Sequence, residues 1–390
     1  MRTSRVALAT LIIAATVGAW FMSHSAVATR TAAPVPSAAL PTYATKTGFA
    51  PPPGACGTPD LAAVAAAQTE VVAVGSRMIR CDLNWWTVQP HNAYTFDWSI
   101  YDNVVNAAAY LGIQVLFTPQ FTPPWARPAV LPARTVDPSH VPPVKMSDYV
   151  AFVHEAAQRY TPTGQRRPAN LGGSVSLWEI WNEPNNYGFW NPVDPVRYSH
   201  FLIASYYAIK WVDPNSKVIA GGLSPAGNVN GNIAPDTFTY VMGLTGALSL
   251  VDAVAVHPYT FWAYPSEKIN WNPLVNHVPR MYNVMKTFGA GSKKIWATEA
   301  GWPTSSKSVT TLRPDGSQVG TETVQALALY DLIVTWNRYP YAGPMFIYAQ
   351  RDKCTNLTSW FCMMGIDRVD GTHKPSYNVI KSMMKMPIMQ

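Results

Sequence analysis

The chain has 390 residues, of which 48% are hydrophobic and 13% charged. This composition is that of a globular protein, and the length allows one large domain or two ordinary ones. The formal net charge is +7, but no run rich in Lys or Arg is present, so we do not expect nucleic acid to be a partner.

The chain begins with a predicted export leader. Arg2 and Arg5 form a positive region, residues 6–22 are apolar, and residues 26–28 offer small side chains for cleavage. We predict a signal peptide at residues 1–28, an Ala/Pro/Ser/Thr-rich linker at 29–45, and a secreted or cell-envelope-associated monomer without stable membrane insertion. The alternative is an uncleaved membrane anchor, although the apolar run is short for a span.

From residue 46 onward, short β-branched or aromatic runs alternate with longer amphipathic ones. A first strand is predicted near residues 46–50, where the signal is weak because three prolines follow at once. The remaining predicted strands are 77–83, 114–118, 175–181, 217–220, 251–256, 294–298 and 344–348. The predicted helices include 102–111, 146–160, 195–212, 235–244, 278–288, 323–338 and 374–384.

This regular alternation predicts an α/β protein with parallel strands. Eight strand–helix units over residues 46–390 predict a single-domain (β/α)8 barrel, the TIM barrel. The alternative is an open doubly wound sheet, which usually carries a glycine-rich phosphate-binding turn after its first strand. The segment at residues 54–57, Gly-Ala-Cys-Gly, is not such a turn.

The chain has four cysteines, and an exported protein meets an oxidising compartment in which disulfides form. Cys354 and Cys362 are close together in one polar loop, so we predict that they pair, which leaves Cys56 to pair with Cys81. The sequence alone permits three connectivities.

Two predicted strands each end in a lone carboxylate. The run Leu-Trp-Glu-Ile-Trp-Asn-Glu-Pro-Asn leads to Glu183, and Ile-Trp-Ala-Thr-Glu-Ala-Gly-Trp leads to Glu299. Because the C-terminal ends of barrel strands face the active site, both side chains are expected at the barrel mouth. Two such carboxylates suit glycoside hydrolysis, in which one protonates the leaving oxygen and the other attacks the anomeric carbon. For either residue alone, a salt bridge or a helix cap is the alternative.

The motifs Trp-Asn-Glu-Pro and Thr-Glu-Ala-Gly-Trp, three strands apart, resemble clan A of the retaining glycoside hydrolases. They are most similar to family 39 and its relatives, which include bacterial exopolysaccharide hydrolases, and the resemblance covers nearly the whole chain after the linker. It implies that Glu183 is the acid/base and Glu299 the nucleophile. It also implies that Asn182 hydrogen-bonds the 2-hydroxyl of the sugar.

The resemblance extends to residues around this pair. It implies that Tyr259 hydrogen-bonds the nucleophile, that His257 has a supporting polar role, and that Arg80 lies beside Glu299. A fixed positive charge there would hold Glu299 ionised. The alternatives are a core histidine at position 257 and an ion pair of Arg80 with Glu179 inside the barrel, which does not preclude the first role.

Aromatic side chains near strand ends are candidates for stacking on sugar rings. Trp302 and Trp125 are the predicted platforms, with a place in the core as the alternative for each. Two positions depart from the clan pattern. Tyr348 stands where the last strand commonly ends in Trp at the innermost subsite, and Gln89 stands where relatives often have Glu.

Together these patterns predict a secreted retaining O-glycoside hydrolase that cleaves a poly- or oligosaccharide by double displacement, without metal or cofactor. A basic, exported enzyme points to a cell-envelope or matrix glycan as substrate. One alternative is a catalytically silent carbohydrate-binding barrel. Another is a metal-dependent hydrolase, which needs His and Asp clusters at several strand ends, where His257 alone qualifies. The sequence names neither the sugar nor endo or exo action.

Overall fold

The computed structural model describes residues 41–260, 263–270, 272–305, 320–356 and 359–388. The predicted signal peptide and residues 29–40 of the predicted linker lie outside this range. Eight parallel strands form a closed barrel in chain order, with β8 paired to β1. The strands are β1 (Thr47–Phe49), β2 (Met78–Asn84), β3 (Gln114–Gln120), β4 (Leu177–Asn182), β5 (Lys217–Leu223), β6 (Ala253–Val256), β7 (Lys294–Ala300) and β8 (Ala342–Ile347).

Helices follow the strands along the described part of the chain. They are α1 (Leu61–Ala73), α2 (Trp85–Val88), α3 (Ser99–Leu111), α4 (Met146–Tyr160), α5 (Pro195–Val212), α6 (Pro235–Leu244), α7 (Ala247–Leu250), α8 (Pro273–Thr287), α9 (Glu322–Asn337) and α10 (Pro375–Met383). None of the helices in the described ranges is long and apolar enough to cross a membrane.

The predicted (β/α)8 barrel is confirmed, including its weak first strand. Helix α8 begins five residues before its predicted start. The Asn272 side chain accepts from the backbone N–H of Leu274, and Pro273 occupies the first turn, so the helix is capped ahead of its internal Pro279. Helix α1 is not among the predicted helices, because its run of small residues has little amphipathic periodicity.

The barrel interior is built in layers because strand side chains alternate with a period of two. An apolar cluster on one layer contains Met78, Leu116, Leu177, Ile219, Ala253, Ala255 and Phe346. Two residues further along three of these strands, the layer becomes polar, with Arg80 on β2, Thr118 on β3 and Glu179 on β4. The apolar layer therefore supports a polar one nearer the C-terminal ends of the strands.

Both predicted disulfides are present. The Cα atoms are 5.5 Å apart in the Cys56–Cys81 pair and 5.2 Å apart in the Cys354–Cys362 pair. The first joins the loop after β1 to β2, and the second closes the segment that follows β8.

Candidate active site

The end of β4 departs from regular strand alternation. Leu177 and Glu179 face the barrel interior, but Trp181 packs in the outer core between strands and helices. Trp181 and Glu183 both have a positive φ, 67° and 43°, which is rare for large side chains. This local strain shifts the phase of the strand, so that Asn182 contacts Arg80 and Glu183 lines the cavity at the barrel mouth.

Arg80 is the centre of the polar layer. Its Nε donates to Glu179 at 2.6 Å, one terminal nitrogen donates to Glu299 at 2.8 Å, and the other donates to the Asn182 side-chain oxygen at 2.7 Å. Burial lowers the pKa of Arg80, but the surrounding carboxylates outweigh that effect and raise it. Arg80 therefore makes both contacts that the sequence analysis considered for it.

Glu179 is fully buried and anchors Arg80 from below. One of its oxygens accepts from Arg80 and from the Thr118 hydroxyl at 3.0 Å, and the other accepts from the Thr298 hydroxyl at 2.6 Å. These four side chains come from β2, β3, β4 and β7, so the network spans the barrel interior. Such a fully satisfied network holds the Arg80 guanidinium in one orientation.

Glu299 is held as a carboxylate. One oxygen accepts from Arg80, and the other accepts from the Tyr259 hydroxyl at 2.8 Å. Burial raises the pKa of Glu299, but the charges of His257 and Arg80 and the Tyr259 hydrogen bond outweigh it, so the pKa lies below its ordinary value. An ionised carboxylate at this place can act as a nucleophile.

His257 lies between the two glutamates. Its Nδ1 is 2.9 Å from a Glu183 oxygen and 3.6 Å from a Glu299 oxygen. Burial lowers the pKa of His257, but the two carboxylates raise it by more, so the pKa lies above its ordinary value. Gly222 makes room for the ring, because a Cβ on that residue would lie 2.1 Å from His257 Nε2.

Both glutamates open into a cavity of about 1040 Å³ at the barrel mouth. Its polar lining includes Arg80, Asp82, Asn84, Gln120, Asn182, Asn186, Ser224, Asn232, Tyr259, Tyr348 and Lys353, and its aromatic lining includes Tyr101, Phe121, Phe189, Trp360 and Phe361. This volume is large enough for more than one sugar ring.

The structure corrects the two predicted stacking platforms. Trp302 is 1% exposed and stacks against Tyr264, so its faces are occupied within the protein. Trp125 packs edge-on against Trp85, and its indole nitrogen donates to the Gln89 carbonyl oxygen at 2.8 Å. Neither residue is part of the cavity lining. Trp302 is buried in the core, and Trp125 is partly buried against it.

Tyr348 lines the cavity, and so do three polar residues that the sequence patterns did not identify. Lys353 donates to the Tyr348 hydroxyl, and Asn186 donates to Glu183 at 3.1 Å. Asp82 also lines the cavity. Strand alternation could have identified Asp82, because it follows Arg80 by two residues on β2 and so lies on the same face of the strand. Lys353 and Asn186 lie in loops, where no periodicity marks them.

Within the described ranges, no group of three or more His, Cys, Asp or Glu side chains is arranged to hold a metal ion. The oxygens of Glu299 instead accept from Arg80 and Tyr259, and those of Glu183 contact His257 and Asn186. The arrangement supplies one ionised carboxylate, one carboxyl group in contact with His257 and Asn186, and hydrogen-bonding groups around an open space.

Comparison by sequence identifies no relative of this chain. No protein-family model matches it, and no curated protein matches it.

Comparison by structure is decisive for the fold. A family 39 glycoside hydrolase from Bacteroides cellulosilyticus WH2 matches 88% of the chain with a TM-score of 0.62 and 22% identity. The chain has the barrel fold of family 39 glycoside hydrolases. A monomeric β-xylosidase from Caulobacter crescentus CB15 matches 84% with a TM-score of 0.61 and 18% identity. A family 5 glycoside hydrolase from Streptomyces cattleya, in complex with GlcNAc, matches 85% with a TM-score of 0.59 and 15% identity.

The matched part covers 64% of the Bacteroides chain, 65% of the Caulobacter chain and 77% of the Streptomyces chain. The present chain thus spans about two thirds of the length of the first two structures, and the likeness concerns their barrels.

Proposed function

We propose that this protein is a retaining O-glycoside hydrolase with Glu183 as acid/base and Glu299 as nucleophile. The observation that carries the proposal is the convergence of both glutamates on His257 at the floor of an open cavity. The fold shared with glycoside hydrolases agrees with it.

The separation of the carboxylates favours retention of configuration. Because His257 Nδ1 lies 2.9 Å from a Glu183 oxygen and 3.6 Å from a Glu299 oxygen, those two oxygens are at most about 6.5 Å apart, the sum of the two distances. Retaining enzymes separate their carboxyl groups by about 5–5.5 Å, whereas inverting enzymes need about 6.5–9.5 Å to admit a water molecule between the sugar and the base.

The first half of the proposed reaction forms a glycosyl-enzyme. An electron pair of the Glu299 carboxylate attacks the anomeric carbon, while protonated Glu183 gives its proton to the glycosidic oxygen, and the bond to that oxygen breaks. Arg80 and Tyr259 hold Glu299 ionised and aimed. Asn182 uses its oxygen on Arg80, and its amide nitrogen makes no hydrogen bond within the described residues, so it can donate to a sugar hydroxyl.

In the second half, Glu183 changes role. As a carboxylate it takes a proton from water, whose oxygen attacks the anomeric carbon and releases Glu299. Formation of the glycosyl-enzyme ester removes the negative charge of Glu299 from the site. The Asn186 amide and His257 hold the Glu183 carboxyl group in place through both steps.

We further propose that the enzyme is exported and acts on a poly- or oligosaccharide, with a cell-envelope or matrix glycan as the natural substrate. Two disulfides are compatible with an oxidising compartment. The signal peptide of residues 1–28 and the monomeric state are parts of the same proposal.

The test compares wild type with Glu183→Gln and Glu299→Gln on a panel of glycans and aryl glycosides. We expect each substitution to lower kcat by roughly 10³-fold or more while leaving the melting temperature nearly unchanged, because an amide neither donates the proton nor attacks. Azide should rescue Glu299→Gly with an inverted glycosyl azide and Glu183→Ala with a retained one, as read by proton NMR. Wild-type rates in either Gln variant contradict the assignment, and a silent sugar-binding barrel predicts binding without turnover.

A further inference from the structure

The charged groups around the proposed nucleophile, Glu299, indicate which charge a substrate sugar can carry. This inference rests on the proposed function. Arg80 and His257 are the cations next to Glu299, and both are already engaged. The Arg80 donors serve Glu179, Asn182 and Glu299. The buried His257 ring lies between Glu183 and Glu299. A guanidinium committed in this way has little capacity left to bind a carboxylate of a substrate.

Asp82 differs from the other carboxylates of the site. Its side chain is 47% exposed and lines the cavity, and its nearest cation is Arg80, 3.9 Å away, beyond hydrogen-bond distance. It makes no hydrogen bond to any other described residue. Asp82 therefore presents acceptor oxygens to the cavity that no described side chain engages in a hydrogen bond.

Lys353 is the remaining cation of the cavity lining. It follows β8, donates to the Tyr348 hydroxyl, and places its ammonium 4.6 Å from the centre of the Tyr348 ring. Its pKa is lowered by burial but raised more by Tyr348, Glu299 and Asp82. One partly engaged ammonium thus faces two carboxylates, Asp82 and Glu299.

The charges of Asp82, Glu299 and Lys353 affect which sugars can bind next to Glu299. A uronic acid next to Glu299 would meet Asp82 as well, with the partly engaged Lys353 as the available counter-charge, so like-charge repulsion disfavours it. A hydroxyl or ammonium group of a sugar would instead donate to the Asp82 carboxylate, which can only accept. We propose that Asp82 selects the sugar that bonds to Glu299 by favouring neutral and amino sugars over uronic acids, and that Lys353 partly offsets this preference.

The experiment uses matched 4-nitrophenyl β-glycosides that differ in charge alone, the glucoside, glucosaminide and glucuronide and the corresponding galacto series. Hydroxyethyl cellulose, chitosan and C6-oxidised cellulose, which is a β-1,4-linked polyglucuronate, extend the comparison to internal cleavage, read as new reducing ends. The wild type should hydrolyse the neutral or amino substrate at least about tenfold better than the uronide in kcat/KM.

Three variants separate the contributions. Asp82→Asn removes one charge at nearly constant shape and should shift the uronide-to-amino-sugar ratio by about tenfold toward the uronide. Lys353→Met should shift it in the opposite direction. Asp97→Asn, an equal charge change at an exposed position outside the cavity lining, should leave the ratio unchanged.

The outcomes distinguish this inference from the proposed function. Hydrolysis with the same ratio in wild type and Asp82→Asn overturns the charge selection but leaves the hydrolase intact, as does a wild type that prefers uronides. If no substrate in the panel is hydrolysed by the wild type, the proposed function fails and this inference fails with it.

Discussion

At the scale of single residues, the protonation of Glu299 depends on a balance between burial and its neighbours. Burial by itself favours the neutral carboxylic acid, and three side chains reverse that preference, namely His257, Arg80 and Tyr259. Tyr259 contributes through one hydrogen bond, and it can be removed without changing the shape of the site.

Replacing Tyr259 by Phe should therefore raise the pKa of Glu299. Because the proposed attack by Glu299 needs the ionised carboxylate, the acid limb of the kcat/KM profile should move to higher pH, by about one pH unit for a hydrogen bond to a charged group. Activity should be lost first on the acid side and least at high pH. Measuring kcat/KM against pH tests this, with the exposed Tyr94→Phe as control. An unmoved acid limb would show that Tyr259 does not control the charge of Glu299.

At the scale of elements, the segment between β8 and α10 forms one wall of the cavity. It carries Lys353, Trp360 and Phe361 to the site. Its base is fixed by a buried ion pair, in which Lys374 donates to Asp352 at 2.8–2.9 Å and to the Thr304 hydroxyl at 2.7 Å. Both side chains of the ion pair are 1% exposed.

Breaking this pair from one side leaves a buried charge without its partner. Lys374→Met should lower the free energy of unfolding by roughly 3–5 kcal/mol, because the Asp352 carboxylate loses its counter-charge in a low-dielectric environment. The matched change Lys385→Met at an exposed position should have little effect. Urea unfolding of both variants measures the difference. Equal stabilities would mean that water or a rearranged side chain compensates for the lost ammonium.

At the scale of the whole molecule, both disulfides lie near the place where the barrel closes. Cys81 stands between Arg80 and Asp82 on β2 and ties that strand to the cavity loop of Cys56. Cys354 follows Lys353 directly, and its partner Cys362 follows the aromatic wall. Because β1 lies between β2 and β8, the two crosslinks flank the closing strand.

The Cys354–Cys362 crosslink should support binding more than chemistry. In the Cys354→Ser/Cys362→Ser double variant we expect a several-fold rise in KM with kcat nearly unchanged, because the wall residues line the cavity proposed to bind substrate, whereas the two glutamates come from other elements. Loop-closure entropy sets the stability loss at about 2–3 kcal/mol. Steady-state kinetics and thermal unfolding measure both effects. A fall in kcat at constant KM would place the crosslink in the catalytic steps instead.

The sequence by itself determined the order of elements, the closed barrel and the position of Glu183 and Glu299 at strand ends. These features follow from local rules. Side chains alternate along a strand, capped amphipathic segments form helices, and parallel strands present their C-terminal ends on one side of the barrel. Helices α4, α5 and α6 even have their predicted bounds.

Only the tertiary structure decided what surrounds the two glutamates. The positive φ of Trp181 interrupts the alternation of side chains along β4, and no pattern in the sequence predicts this interruption. Trp302 has the residue type and position of a stacking platform but is packed against Tyr264. Lys353 reaches the cavity from a loop that the barrel closure places there. Burial and loop position depend on contacts between residues far apart in the chain, so alternation and capping, which act over a few residues, do not determine them.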